Sequence, residues 1–86
     1  MSNIVTIFGK ANCGFCEKAK SLCEDYRLTY EYKNIADFEN LEELMTEFPK
    51  TKTVPQIIWN GKKIGSYVNF ATEVENTIGG YGEDVI

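Results

Sequence analysis

The chain has 86 residues, 43% hydrophobic and 26% charged, with a formal net charge of −4 at pH 7. That size supports one domain over residues 1–86 with a modest core. No basic stripe exists to neutralise phosphates, which excludes nucleic acid as a general partner, and no apolar run reaches membrane-spanning length, so no membrane partner is expected.

Residues 3–8 are almost wholly apolar and β-branched, which predicts a strand covered on both faces. Gly9 and Lys10 leave it, and Asn12 or Cys13 caps a helix running to about Tyr26. The junction carries Cys13-Gly14-Phe15-Cys16. Two cysteines two residues apart at a strand-to-helix turn read as a redox pair. Amides of a first helical turn lack intrahelical partners, and the helix dipole puts partial positive charge there, so a Cys13 thiolate is favoured over the thiol. Cys16 lies one turn on, close enough to form a disulfide with it.

Half of a zinc site is the first alternative. Structural zinc usually takes four Cys or His ligands, whereas this chain has three cysteines and no histidine. A carboxylate would have to complete such a site, and no metal is expected. A structural disulfide would close a very small loop, which restrains the unfolded chain little. Without a secretory signal the thiols are expected in a reducing, cytoplasmic setting. Cys23 shares a helix face with Ala19 and Tyr26 and reads as a small core residue.

Residues 29–35 alternate polar and apolar as a second strand, parallel to the first across a right-handed crossover. Asp37 caps a second helix in which Phe38, Leu41, Leu44, Met45 and Phe48 recur at helical spacing and Glu39, Glu42, Glu43 and Glu47 form the wet side. Pro49 ends it. Residues 56–59 make a third strand, and Asn60-Gly61 signals a hairpin into an antiparallel fourth near residues 63–65. Ser66 to Asn69 turns into a last helix with Phe70, Val74 and Ile78 inward. Gly79-Gly80 stops it, and residues 79–86 form a short tail. The order β-α-β-α-β-β-α gives an α/β fold, a four-stranded mixed β-sheet flanked by three helices.

A strand, C-x-x-C, a βαβ unit and then Thr53-Val54-Pro55 before a hairpin resemble the glutaredoxin family, with its thioredoxin fold. Residues 5–10 through Ala19-Lys20, residues 53–57 and Ile64-Gly65-Ser66-Tyr67 carry the likeness, which spans about residues 5–78. The resemblance implies an enzyme, a monomeric glutathione-dependent thiol–disulfide oxidoreductase of the dithiol class. It would reduce protein disulfides and glutathione mixed disulfides. Cys13 would be the nucleophile and Cys16 the resolving thiol, and glutathione would contact Lys10, Cys13, Phe15, Thr53, Val54, Pro55, Tyr67, Val68 and Asn69. Lys10 would lower the Cys13 pKa and meet a glutathione carboxylate. Val54-Pro55 would be a cis peptide, although a trans proline at a strand start is the ordinary reading of those residues alone. Disulfide-containing client proteins, ribonucleotide reductase among them, are the implied partners.

The chain departs from the family pattern at four positions. Gly14 stands where dithiol members often carry proline, and Phe15 replaces a tyrosine. Ser66 and Asn69 replace the second glycine and the aspartate of G-G-x-x-D. C-G-F-C also resembles the monothiol C-G-F-S, whose owners bind [2Fe–2S] clusters with glutathione, so a cluster scaffold with Cys13 as a ligand is an alternative. A redoxin recharged by thioredoxin reductase is another.

Overall fold

The computed structural model describes residues 4–79. Four strands, β1 (Val5–Gly9), β2 (Tyr30–Asn34), β3 (Gln56–Trp59) and β4 (Lys62–Gly65), form one sheet in the order β2-β1-β3-β4. β1 pairs parallel with β2 and antiparallel with β3, and β3 pairs antiparallel with β4. Three helices, α1 (Gly14–Asp25), α2 (Phe38–Glu47) and α3 (Tyr67–Val74), complete the expected order, and a π-helical turn follows at Glu75–Gly79. The Ile78 side chain, the stop at Gly80 and the tail from Tyr81 lie outside the described residues.

The pleat sorts the sheet into two faces. Val5 and Ile7 of β1 stand opposite Trp59 and Ile57 of β3, and all four join Ala19 and Cys23 of α1 and Phe70 and Val74 of α3 in one buried cluster. Helices α1 and α3 therefore share a face. On the other side lies Phe8, fully buried, with the Lys33 ammonium 5.9 Å from its ring centre and paired at 2.7 Å with Glu43 of α2. That hydrogen bond to Glu43 raises the Lys33 pKa.

Helix α2 is less embedded than its apolar spacing suggests. Only Leu44 is buried, while Phe38 and Met45 are 67% and 60% exposed. Glu43 leaves the wet side to meet Lys33.

Local chemistry explains most boundaries. Asp37 caps α2 by accepting from the Glu39 N–H. Asn60 and Gly61 both take positive φ, 57° and 76°, as a tight right-twisting hairpin requires. Helix α1 closes on a residue that composition did not single out. Arg27 adopts φ 58°, its N–H donates to the Glu24 carbonyl, and the Leu28 N–H donates to the Cys23 carbonyl. This is the Schellman pattern, with arginine where glycine is usual. The last helix also starts earlier than expected. Ser66 is its N-cap, with Oγ accepting from the Asn69 N–H at 3.4 Å, and Tyr67 to Asn69 are already helical. A serine hydroxyl offered to the first-turn amides accounts for the shift. Gly65 precedes it at φ 102°, a conformation that disfavours a side chain.

Cys23 is fully buried, and its thiol is pushed up to about 12 by burial and then by Glu24. The folded chain thus holds this thiol neutral where an unfolded chain would ionise it near 9.0. The contribution is complete below that value and is lost as pH rises towards 12, so stability should fall with alkalinity. At neutral pH, the reduced native protein should lose no more than two thiols to a charged alkylating reagent. A third should react only with unfolding, and rapid native modification of Cys23, located by mass spectrometry, would contradict this packing.

Candidate active site

β1 delivers the chain to the site through a turn at residues 10–12. Asn12 takes φ 56°, a left-handed conformation that asparagine tolerates, so it turns the chain rather than capping the helix. Cys13 is the N-cap, in extended conformation, and its sulfur accepts the Cys16 N–H at 3.2 Å. The position normally held by a serine or aspartate oxygen is held here by sulfur. A negative charge on that sulfur meets an amide with no other acceptor, at the positive end of α1.

Cys13 and Cys16 are joined as a disulfide with their Cα atoms 5.2 Å apart. Their exposure differs. Cys16 is fully buried, whereas Cys13 is only partly covered. An incoming sulfur can thus reach Cys13 and not Cys16. Gly14 has nothing within 4 Å of where a Cβ would stand, so no neighbour demands glycine there.

A second segment meets Cys13 from across the fold. The Val54-Pro55 bond is cis, and the Val54 carbonyl oxygen lies 4.0 Å from Cys13 Sγ. Beside it runs a groove of about 330 Å³ lined by Phe15, Thr53, Val54, Pro55, Ser66, Tyr67 and Val68. The Phe15 and Tyr67 rings pack 5.8 Å apart and tie the start of α1 to the start of α3. Lys18 lies 5.2 Å from the Phe15 ring centre, a cation–π contact on an exposed ring.

Six of the nine expected glutathione contacts line this groove, and Cys13 stands at Val54. The other two lie elsewhere. Lys10 lines a separate groove that shares Thr53 and Val54 with the first. Asn69 lies outside both, because its side-chain N–H donates to the Ile64 carbonyl at 3.3 Å, and it borders a depression with Lys62, Lys63 and Glu73.

Two positioning residues escaped the sequence reading. Gln56 is 7% exposed, and its amide donates to Thr51 Oγ1 at 2.8 Å and to the Thr53 carbonyl at 3.1 Å, holding the loop that carries Val54 into β3. A polar residue at the start of an apolar strand was the available signal. Tyr32 donates its hydroxyl to the Lys10 carbonyl at 3.0 Å, with the Lys20 ammonium 4.4 Å from its ring centre. A Cβ on Gly9 would overlap that ring, so glycine there admits Tyr32 to the turn.

Comparison with known proteins points to one family. The glutaredoxin family model matches residues 5–64. The chain is 34% identical over 79 residues to glutaredoxin 1 of Escherichia coli, covering 84% of this chain and 93% of that protein. Its fold superposes on the structure of reduced Escherichia coli glutaredoxin with a TM-score of 0.75 and 30% identity, over 88% of this chain and 98% of that one. A buckwheat glutaredoxin–glutathione complex aligns with a TM-score of 0.72 at 21% identity, over 86% of this chain and 70% of that one, a likeness of fold. With an accessible sulfur capping a helix, a buried partner one turn on and the family match across most of its length, the chain belongs to the glutaredoxin family of thiol–disulfide oxidoreductases.

Proposed function

We infer that this oxidoreductase reduces protein disulfides and glutathione mixed disulfides, with glutathione supplying the electrons, in the reducing cytoplasm. The observation that carries the reading is the accessible Cys13 sulfur at the edge of the Phe15–Tyr67 groove, with Cys16 buried behind it. In a glutathione mixed disulfide, the Cys13 thiolate attacks the glutathionyl sulfur. The client leaves as a thiolate and takes a proton from water. A second glutathione thiolate then attacks the same glutathionyl sulfur, glutathione disulfide leaves, and the Cys13 thiolate returns. For a protein disulfide, Cys16 loses its proton and displaces the client from Cys13, closing the disulfide seen here. Two glutathione thiols reopen it. The buckwheat relative's complex with glutathione supports this choice of reductant.

Reduction of a disulfide substrate should proceed with glutathione, glutathione reductase and NADPH. Turnover supported by thioredoxin reductase alone, with no rate from the glutathione system, would reject glutathione as the electron donor.

Activation of Cys13 offers a separate measurement. The cap geometry predicts that alkylation of reduced Cys13 reaches half its maximal rate below pH ~8.5, the value for an ordinary thiol. Lys10→Ala should move that midpoint upward. A midpoint unmoved by the substitution would leave the activation to the Cys16 N–H and the helix dipole.

A further inference from the structure

The second groove is larger than the first, at about 410 Å³, and much of its wall is apolar. Leu41, Leu44 and Met45 of α2 form one wall, Thr51 and Lys52 another, with Lys10 among the lining residues. Met45 is 60% exposed although its spacing marks it as apolar-face. Glutathione has no apolar side chain to bury against such a wall. A polypeptide client does.

Both grooves are bounded by Thr53 and Val54. A chain laid along Val54 with its cysteine on Cys13 therefore continues from one groove into the other. Side chains of an extended chain alternate in direction, so a residue two positions from that cysteine points the same way, roughly 6.6 Å further on. We propose that the α2 groove receives an apolar side chain two residues from the client cysteine under attack, with an acidic neighbour meeting Lys10 and Lys52. This names the client class and rests on the reading that protein disulfides are substrates.

In the step concerned, the Cys13 thiolate attacks one sulfur of the client disulfide. A Cys13–client disulfide forms, and the other client sulfur leaves as a thiolate that takes up a proton. The groove holds the client while Cys16 loses its proton and attacks Cys13, and the first client sulfur departs and is protonated in turn. The client gains two electrons and two protons, and the Cys13–Cys16 pair loses them.

The test uses reduced protein in single turnover, without glutathione, on peptides containing one internal disulfide. Leucine or serine is placed two residues from each cysteine, on either side. At least one leucine peptide should react about tenfold faster than its serine counterpart, the factor expected for burying part of a leucine side chain. A glutamate beside that leucine should add about threefold at low salt, a gain that high salt removes. Met45→Glu should reduce the leucine preference to about twofold or less and leave the serine peptide unchanged, whereas Met45→Leu keeps the preference. Equal rates for leucine and serine peptides at every position, or an equal slowing of both by Met45→Glu, would overturn the groove assignment alone. If neither peptide is reduced, the reading of protein disulfides as substrates falls, and the groove assignment with it.

Discussion

Cys13→Ser should reduce exchange with every disulfide substrate to background, while the fold survives. Serine is itself a favoured N-cap, so its hydroxyl can accept the Cys16 N–H that the sulfur accepts now at 3.2 Å. What disappears is the nucleophile, because an alcohol does not ionise at working pH without a general base, and the chain has no histidine to act as one. Cys13→Ala would confuse the outcome by also removing the cap, at about 1 kcal/mol. Cys16→Ser should behave differently. It should retain reduction of small glutathione mixed disulfides, which in the proposed cycle needs only Cys13 and glutathione, and lose most single-turnover reduction of protein disulfides. Cys16 is fully buried, so a serine hydroxyl there costs about 1–3 kcal/mol if unpaired. Cys16→Ala, which buries no hydroxyl, separates that loss of stability from loss of the resolving thiol. Parallel loss of both activities in Cys16→Ala and Cys13→Ser would defeat the division of roles.

Phe70→Ala should be among the most destabilising single changes in the protein. Phe70 is fully buried, and its ring meets Trp59 edge-on, with centres 5.8 Å apart and planes at 85°. Removing a buried phenylalanine costs about 3–5 kcal/mol, against a total stability of about 5–15 kcal/mol for a domain. For a chain of this size, the melting temperature should fall by at least about 12 °C. Trp59 is the only tryptophan in the sequence, so urea unfolding can be followed by its fluorescence. The consequence reaches the active site, because Phe70 anchors the helix whose first residues, Tyr67 and Val68, line the groove. Val68→Ala, at a position 63% exposed, should stay within about 0.5 kcal/mol of the parent protein. A Phe70→Ala protein that loses less than about 1 kcal/mol would mean that α3 is not held by this core.

The looseness of α2 has a plain physical basis. Its apolar spacing continues through Phe38, Leu41, Leu44, Met45 and Phe48, but only Leu44 is buried. Amphipathic spacing reports that one face differs from the other. It does not report how much of that face the sheet is wide enough to cover. Of the remainder, Leu41 and Met45 line the second groove.

What the sequence determined by itself is what a few neighbouring residues can settle. The alternating and continuous apolar runs mark the strands, because side-chain direction has period two. Asn60-Gly61 specifies its hairpin, because both residues tolerate positive φ. Asp37 caps α2 with its own side chain, and Cys13 and Cys16 fall one turn apart on a helix start whatever surrounds them. The tertiary structure decided how residues from different elements meet. It placed Val54 beside Cys13, separated in sequence by 41 positions, and put Lys10 in the lining of the second groove and not of the Phe15–Tyr67 groove. It buried Gln56 to hold the loop at residues 51–53, and it turned the Asn69 amide to the Ile64 carbonyl, outside both grooves. Each outcome depends on where helix ends come to rest against the sheet, and on which buried polar atom finds a partner. Local periodicity carries no record of either, because both are consequences of packing between segments far apart in the chain.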